Sequence, residues 1–413
     1  MSDPGRLLYL ANARIPSEKA HVYQIFQMCD AFAERGARVR LIYPRRANLD
    51  ELQDVGDPAA FYGVQRSPEL VALPCLDPVK LVTIDLPALG KTPLNPAAFA
   101  VQTATFTLAA TAYVRRHTRA SAVVYSRDWP LLWPLAVGRE RPRPVIWEAH
   151  DLPQGQVARR ALRRLLPRLD GVVAISQGLA RELAEWTRSA SPPVVVASDG
   201  VGLERFSRVP SAAEARKQLD LPLDQQIVLY AGHLYRWKGV DTLARATAQL
   251  PPSARVVIVG GTPADRTSFA AWLRQEGLAQ RVCLAGYVPP TQVPSYLAAA
   301  DVLVLPNSGS VPISRTYTSP LKLFEYMAAE RPIVASDLPA LREVLEHNKN
   351  AWLVHPDSPQ ALAAGITSTL ADPERGRRLA AAAALDVRHY TWNGRAERVL
   401  TWVDWLASKT NLP

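Results

Sequence analysis

Residues Ser319–Leu345 read SPLKLFEYMAAERPIVASDLPALREVL. Ser319 is a favoured N-cap and Pro320 a favoured first helical residue, so a helix is expected to begin here. Ile333–Ala335 follows as a short apolar, β-branched strand. The same alternation runs back through the chain. Ile227–Ala231, Val256–Gly260, Val282–Ala285 and Val302–Leu305 read as strands, and Val240–Leu250 reads as a helix after a glycine loop. Near-continuous apolar strands alternating with helices indicate a parallel sheet covered on both faces.

The first half of the chain carries the pattern independently. Leu7–Leu10, Val39–Tyr43, Val123–Ser126, Val145–Glu148, Gly171–Ile175 and Val194–Ala197 read as strands. Val22–Arg35 reads as a helix closed by Gly36. The join falls within Ser198–Asp224, which holds Gly200, Gly202 and Pro210. A length of 413 residues suits two domains. In doubly wound sheets, ligands bind beyond the carboxyl ends of the strands.

Composition removes several classes. Hydrophobic residues are 48% and charged residues 21%, which is globular and excludes gross disorder. Cys29, Cys75 and Cys283 are scattered, odd in number and form no C-x-x-C, so a disulfide scaffold or zinc ribbon is not expected and a cytoplasmic location is. The N-terminus lacks the apolar core of a signal peptide. The longest charge-free run, Thr92–Val114, contains two prolines and five threonines and reads as a loop and a buried helix rather than a membrane span. No G-x-G-x-x-G, H-E-x-x-H or G-x-S-x-G occurs, and Gly90-Lys91-Thr92 lacks the first glycine of a P-loop, whose place is Asp85. No D-x-D pair is present to hold a divalent ion on a diphosphate. The net charge of +10 fits an anionic partner.

The start of the helix at Ser319 presents free N–H groups and a positive dipole end, which suit a diphosphate. Lys322 lies in the first turn and adds a cation. Glu325, one turn on, can accept two hydrogen bonds from a ribose diol. A capped surface helix with an incidental glutamate is the other reading of the bare pattern. Tyr230–Leu243, YAGHLYRWKGVDTL, passes from a strand through Gly232 and Lys238-Gly239 into a helix. His150 ends the Trp147–Asp151 segment WEAHD, at a strand terminus where a lone histidine is more often structural.

In this order and over nearly the whole chain, these segments resemble the family-4 retaining glycosyltransferases. The resemblance implies the GT-B fold: two Rossmann-like doubly wound domains facing each other across a cleft. Residues 1–200, completed by a terminal helix at about 393–413, would form the acceptor side, and residues 201–392 would bind the nucleotide sugar. The terminal helix is read as Trp392–Leu406, with Val399, Trp402, Val403 and Leu406 as its apolar stripe.

The family pairs two acids eight positions apart, the second on the nucleotide ribose. Glu325 matches the second, and Tyr317 stands where the first should be. The helix start at Ser319, Pro320, Leu321 and Lys322 would hold the diphosphate. Lys238-Gly239 matches a Lys-Gly whose lysine binds the diphosphate. His233, directly after Gly232, occupies a slot usually filled by Arg, and Arg236 is the candidate replacement cation. His150 matches a histidine that contacts the donor sugar. Val288, in Gly286-Tyr287-Val288, would lie beside the base. Ala174-Ile175-Ser176 and Ser198–Val201 match two further landmarks.

On the acceptor or phosphate side, the loop Arg14–His21 (RIPSEKAH) fills the place of a glycine-rich phosphate loop, with Ser17, Lys19 and His21 as candidates. Arg127 is another. The resemblance implies a hexosyltransferase-like enzyme working with retention, without a metal or resident cofactor. Its partners would be a nucleoside-diphosphate sugar and a glycan, lipid-linked or small-molecule hydroxyl. Acceptor specificity is assigned chiefly to Arg45–Thr92. A sugar-nucleotide-binding protein without turnover is the alternative, permitted by Tyr317 and His233. Nucleic-acid binding lacks any aromatic–basic recognition motif. Val157–Leu169 (VARRALRRLLPRL) is read as an amphipathic helix packed on the sheet; the competing reading lays it on the inner face of an anionic membrane, at about 1 kcal/mol per Arg.

Overall fold

A computed structural model describes residues 6–48, 52–78, 94–117, 122–137, 141–187 and 191–410. The chain forms two compact units. One comprises Met1–Ile175, Leu179–Ala197 and Arg395–Pro413; the other comprises Ser176–Gly178 and Ser198–Gly394.

The first unit is built on seven strands: β1 (Arg6–Leu10), β2 (Arg38–Pro44), β3 (Glu69–Leu73), β4 (Val123–Ser126), β5 (Val145–Ala149), β6 (Gly171–Ala174) and β7 (Val194–Val196). All pairings are parallel, in the order β3-β2-β1-β4-β5-β6-β7. The order reverses between β1 and β4. There Ser126 Oγ donates to the carbonyl of Leu10 at 2.7 Å, and the Asp128 carboxylate accepts the Asn12 N–H at 2.8 Å. These bonds hold open the carboxyl edge, where a doubly wound sheet binds its ligands.

The second unit has six strands: β8 (Gln226–Ala231), β9 (Ala254–Val259), β10 (Val282–Gly286), β11 (Val302–Leu305), β12 (Ile333–Ser336) and β13 (Trp352–Val354). They pair in parallel as β10-β9-β8-β11-β12-β13. The period-two pattern sorts their side chains onto two buried faces. Ile227, Leu229, Val257 and Leu303 enter one core; Val228, Tyr230, Val256 and Val302 enter the other.

β3 and β13 were not expected. Both are edge strands: β3 is only half-buried and begins with Glu69, and β13 is three residues long. The other two edges, β7 and β10, were expected; β3 opens on a charged residue and β13 stops at three, so each gives a weaker strand signal.

The terminal helix runs Trp392–Thr410, and its Val399, Val403 and Leu406 are buried. It packs on β6 because Gly171 has no side chain. A Cβ there would lie 2.3 Å from Trp402 Cη2 and 2.8 Å from Leu406 Cδ1.

The charge-free run needs correction. Leu94–His117 is helical, and its Ala97–His117 portion is long and apolar enough to cross a membrane by length and composition. It is not simply a buried helix. Ala98, Phe106, Ala110 and Val114 point inward at four-residue spacing, while Phe99, Val101 and Leu108 are exposed. The threonines are accommodated because Thr105, Thr107 and Thr111 donate to carbonyls four residues back, at 3.0, 2.7 and 2.7 Å. Gly90-Lys91-Thr92 and residues 49–51 and 79–92 of the expected specificity region lie outside the described residues.

The arginine-rich segment forms a helix over Gln156–Leu165 and a tight turn over Leu166–Arg168. Leu162, Leu165, Leu166 and Leu169 are all buried. Arg159 and Arg163 lie over the Trp186 ring at 5.0 and 5.4 Å. The apolar face is therefore spent within the first unit, and the solvated side is basic.

Candidate functional site

In the second unit, the loop after β8 returns as a tight turn, Arg236–Lys238, before the Val240–Ala246 helix. The turn requires Gly239. Its φ is +67°, and a Cβ would fall 1.9 Å from the carbonyl oxygen of Pro306, just past β11. Ser308 N–H donates to the carbonyl of Trp237 at 3.0 Å and fixes the same approach. Lys238 is thereby set at the switch between β8 and β11. Its Nζ lies 4.0 Å from the centroid of the Trp237 ring. Burial and the neighbouring Lys322 push the Lys238 ammonium down to about 8.

The helix bearing Lys322 and Glu325 spans Leu321–Ala328. Ser319 does not cap it, contrary to expectation. Pro320 occupies the N-cap in an extended conformation, and the helix begins at Leu321. The Ser319 hydroxyl instead accepts the Asp199 N–H at 3.0 Å. The first-turn amides thus have no side-chain cap.

Glu325 is buried and doubly paired. Lys322 Nζ donates to Oε2 at 2.7 Å, and Arg205 Nη1 donates to Oε1 at 3.1 Å. Burial alone would raise its pKa; Lys322 and then Arg205 hold it below the usual carboxylate range. Arg205 escaped the sequence reading. It sits in the turn Leu203–Phe206, just past the Ser198–Val201 landmark, and also donates to the carbonyl of Pro290. Arg205 therefore ties Glu325 to the loop beginning Gly286-Tyr287-Val288, where Val288 packs against the core.

Other candidates in this unit take different places. His233 stacks on Tyr235 with ring centroids 4.9 Å apart, and Tyr235 stacks on Trp237 at 6.3 Å. Gly232 is pressed beneath this ladder: a Cβ would lie 2.5 Å from the Tyr230 hydroxyl. Arg236 is exposed and lines a cavity of about 280 Å³ with Phe269, Trp272 and Arg245; neither Lys238 nor Lys322 lines it. Arg236 thus shares a turn with Lys238 while lining a separate cavity. Tyr317 is buried, and its carbonyl accepts the Ser176 hydroxyl at 3.0 Å.

In the first unit the organising group is Glu148, at the carboxyl end of β5 and fully buried. Oε1 accepts Gln24 Nε2 at 2.6 Å and Arg395 Nη2 at 3.1 Å, and contacts His150 Nε2 at 2.5 Å. Oε2 accepts the Tyr9 hydroxyl at 3.3 Å. Burial opposes its charge, but Arg395, His150 and Arg127 together hold it well below the usual carboxylate range. His150 is pushed down to about 4 by burial and Arg127, against the pull of Glu148.

Arg127 belongs to the same network, donating to Gln24 Oε1 at 2.9 Å and to the carbonyl of His21 at 3.4 Å. Ser17 is instead anchored to Tyr62, whose hydroxyl takes the Ser17 N–H at 2.6 Å and donates to the Ser17 carbonyl at 2.8 Å. Lys19 is exposed at the N-cap of the Ala20–Glu34 helix. Glu148 and Arg395 were not singled out from sequence. The WEAHD segment points to the former, but nothing local marks an arginine 247 residues away as its partner. Among the described residues, no group of three His, Cys, Asp or Glu side chains forms a metal-binding set.

Comparison with known proteins agrees with this architecture. The family model described as Glycosyltransferase Family 4 matches residues 22–205, and that described as Glycosyl transferases group 1 matches residues 211–386. A D-inositol 3-phosphate glycosyltransferase of Xylanimonas cellulosilytica is 31% identical over 256 residues, 60% of this chain and 59% of that protein. The matched part thus spans less than two thirds of the curated relative. Among solved structures, the sucrose-phosphate synthase of Thermosynechococcus elongatus superposes with a TM-score of 0.77 at 22% identity, covering 98% of this chain and 100% of the other. HepE of Anabaena, solved in complex with UDP, gives a TM-score of 0.72 at 18% identity over 97% of this chain and 99% of the other. These likenesses establish the GT-B fold of two Rossmann-like domains. The two family matches follow one another along the sheets just described, and the chain belongs to the group-1 glycosyltransferases of the family-4 type.

Proposed function

We propose that this protein is a retaining glycosyltransferase that moves a sugar from a nucleoside diphosphate to an acceptor hydroxyl, in the synthesis of a cell-surface glycan, glycolipid or other glycoconjugate. The observation that carries the reading is the second unit's charge arrangement: buried Glu325 with Lys322 on an uncapped helix start, and Lys238 close enough to Lys322 to feel its charge. Lys238, Lys322 and the free amides of the Leu321 turn would stabilise charge developing on the departing diphosphate. Glu325 would accept the ribose hydroxyls, sharing lone pairs with Arg205. Ser319, Pro320, Leu321, Gly232, His233, Tyr317 and Val288 would shape the donor pocket, as the family resemblance implies.

His150 would meet the donor sugar. Ser17, Lys19, His21 and Arg127 would serve the acceptor or phosphate side. The acceptor hydroxyl would attack the face the diphosphate leaves, and the leaving phosphate would help to take its proton. No metal is required in this reading, because two lysines and a helix start supply the positive charge; full activity after EDTA treatment is the expected outcome. The three free cysteines support a cytoplasmic location.

The UDP bound to HepE makes UDP the first nucleotide to try. The direct test is a thermal-shift panel of UDP, GDP, ADP, TDP and CDP on the wild type and Glu325→Ala. A nucleotide at 100-fold its Kd should stabilise by about 2.7 kcal/mol. One nucleotide shifting the wild type but not the variant supports the reading and names the base. No shift from any of them removes it.

A further inference from the structure

The contact between Glu148 and His150 decides more than the packing of β5. Glu148 receives the Tyr9 hydroxyl, the Gln24 amide and the Arg395 guanidinium. The Gln24 orientation is not arbitrary: Arg127, which can only donate, bonds Gln24 Oε1 and so turns Nε2 toward Glu148. A carboxylate surrounded by three donors and charged by a buried arginine is an acceptor only. The 2.5 Å contact with His150 Nε2 therefore requires the proton on Nε2. A second ring proton is opposed by Arg127 and Arg395 and by burial. Nδ1 is then an unprotonated lone pair, on a side chain that retains 15% exposure at the strand's carboxyl edge.

We propose that Glu148 is a positioning residue that fixes His150 in the Nε2–H tautomer, leaving Nδ1 as a hydrogen-bond acceptor for a ligand hydroxyl. An Nδ1 lone pair takes an O–H and repels a phosphate oxygen, so the group at His150 is a sugar or polyol hydroxyl rather than an anion. Arg395 extends the device to the terminal helix. It donates to Glu148 and, through Nε, to the Ala197 carbonyl at 3.1 Å, so the helix keyed onto Gly171 also orients the carboxylate. The ligand assignment rests on the donor-facing reading of His150; the tautomer does not.

The test uses the full chain with ¹⁵N-labelled histidine and long-range ¹H–¹⁵N correlation, with His150 assigned by the signals lost in His150→Gln. The expected wild-type result, without ligand, is a pyridine-like Nδ1 and a pyrrole-like Nε2 across neutral pH. A protonated Nδ1, or a doubly protonated ring at neutral pH, overturns the proposal. In Glu148→Gln the amide can donate as well as accept, so the tautomer ratio should shift toward Nδ1–H. Glu148→Asp keeps the charge and should retain more of the Nε2–H form. If Glu148→Gln does not fold, the wild-type spectrum and the Asp variant still decide. An unchanged tautomer in both variants overturns Glu148 as its cause. UDP-glucose and UDP are then added to the wild type. A Nδ1 shift with UDP-glucose alone supports a hydroxyl at His150. An Nε2–H ring that responds to neither, when UDP is the nucleotide that shifts the wild type, supports the role of Glu148 and overturns a glucosyl hydroxyl as the group at His150. With an active acceptor assay, Glu148→Gln should lower kcat more than Glu148→Asp does.

Discussion

Glu148 and Glu325 are both buried carboxylates held ionised by neighbouring cations, one in each unit, yet they are built for different work. Glu148 ends a central strand and carries four contacts, among them three neutral or cationic donors that leave it closed to ligand. Glu325 sits on an eight-residue helix and holds only Lys322 and Arg205, both of which have other work to do. A carboxylate satisfied entirely by protein orients its neighbours. A carboxylate whose partners are two cations can share its lone pairs with an incoming diol. The difference lies in what surrounds the acid, because the acids themselves are chemically alike.

The sharpest way to break this contrast is to remove each arginine. Arg395→Met removes the one guanidinium bonded to Glu148 and leaves it with neutral donors, Arg127 acting only through Gln24 and at a distance. Loss of one partner of a buried pair costs about 3–5 kcal/mol, so a marked drop in the first urea transition is expected. Arg205→Met leaves Lys322 on Glu325 and should cost clearly less. Equal losses would erase the distinction. Next in size is Lys238→Ala. A group acting on the leaving diphosphate should cost kcat about 10²–10³-fold while KM for the donor moves less. Steady-state kinetics checks this, and an unchanged kcat removes Lys238 from that role.

How far these sites could be read from sequence follows the same contrast. The central strands were legible because burial on both faces forces apolar runs, and the edges β7 and β10 were legible because each still carries one; β3, opening on Glu69, and β13, three residues long, gave a weaker signal. Lys238, Lys322 and Glu325 were legible because a turn or helix start places each within a few residues of its own motif. The Ser319 cap was misplaced because its hydroxyl is engaged by the Asp199 N–H, 120 residues away in sequence. Arg205 and Arg395 were invisible for one reason: each reaches its glutamate across more than 100 residues, 120 and 247 respectively, and no local pattern encodes that approach. Glu148 itself read as part of a strand, since a buried glutamate is recognised only by the donors that surround it.

The units should also separate by pH. In the first, Glu148 is depressed, so its stabilisation is present above its unfolded value and is lost as pH falls through its lower folded value. His150 adds to this slope. Its pKa falls from 6.5 to about 4 on folding, so the unfolded chain binds more protons across that window and stability declines as pH drops through it. Tm of wild type and His150→Gln measured between these values should converge at the acid end. Parallel curves would show that His150 does not titrate as described.

The smallest effect belongs to the second unit and has the opposite sense. Lys238 titrates at about 8 in the free protein. A bound diphosphate favours the ammonium and raises that value. Above pH 8, binding must therefore take up a proton, and affinity should fall by at most tenfold per pH unit until the bound-state value is reached. Below pH 8 the lysine is already charged and the dependence disappears. Calorimetry of UDP binding in two buffers of different ionisation enthalpy reads the uptake directly, and Lys238→Gln should abolish it. Uptake that persists in that variant would move the titrating group elsewhere, with Lys322 the next to test. Absence of uptake in the wild type would mean that the diphosphate does not reach Lys238, and the likeness between the two buried glutamates would then be structural on both sides.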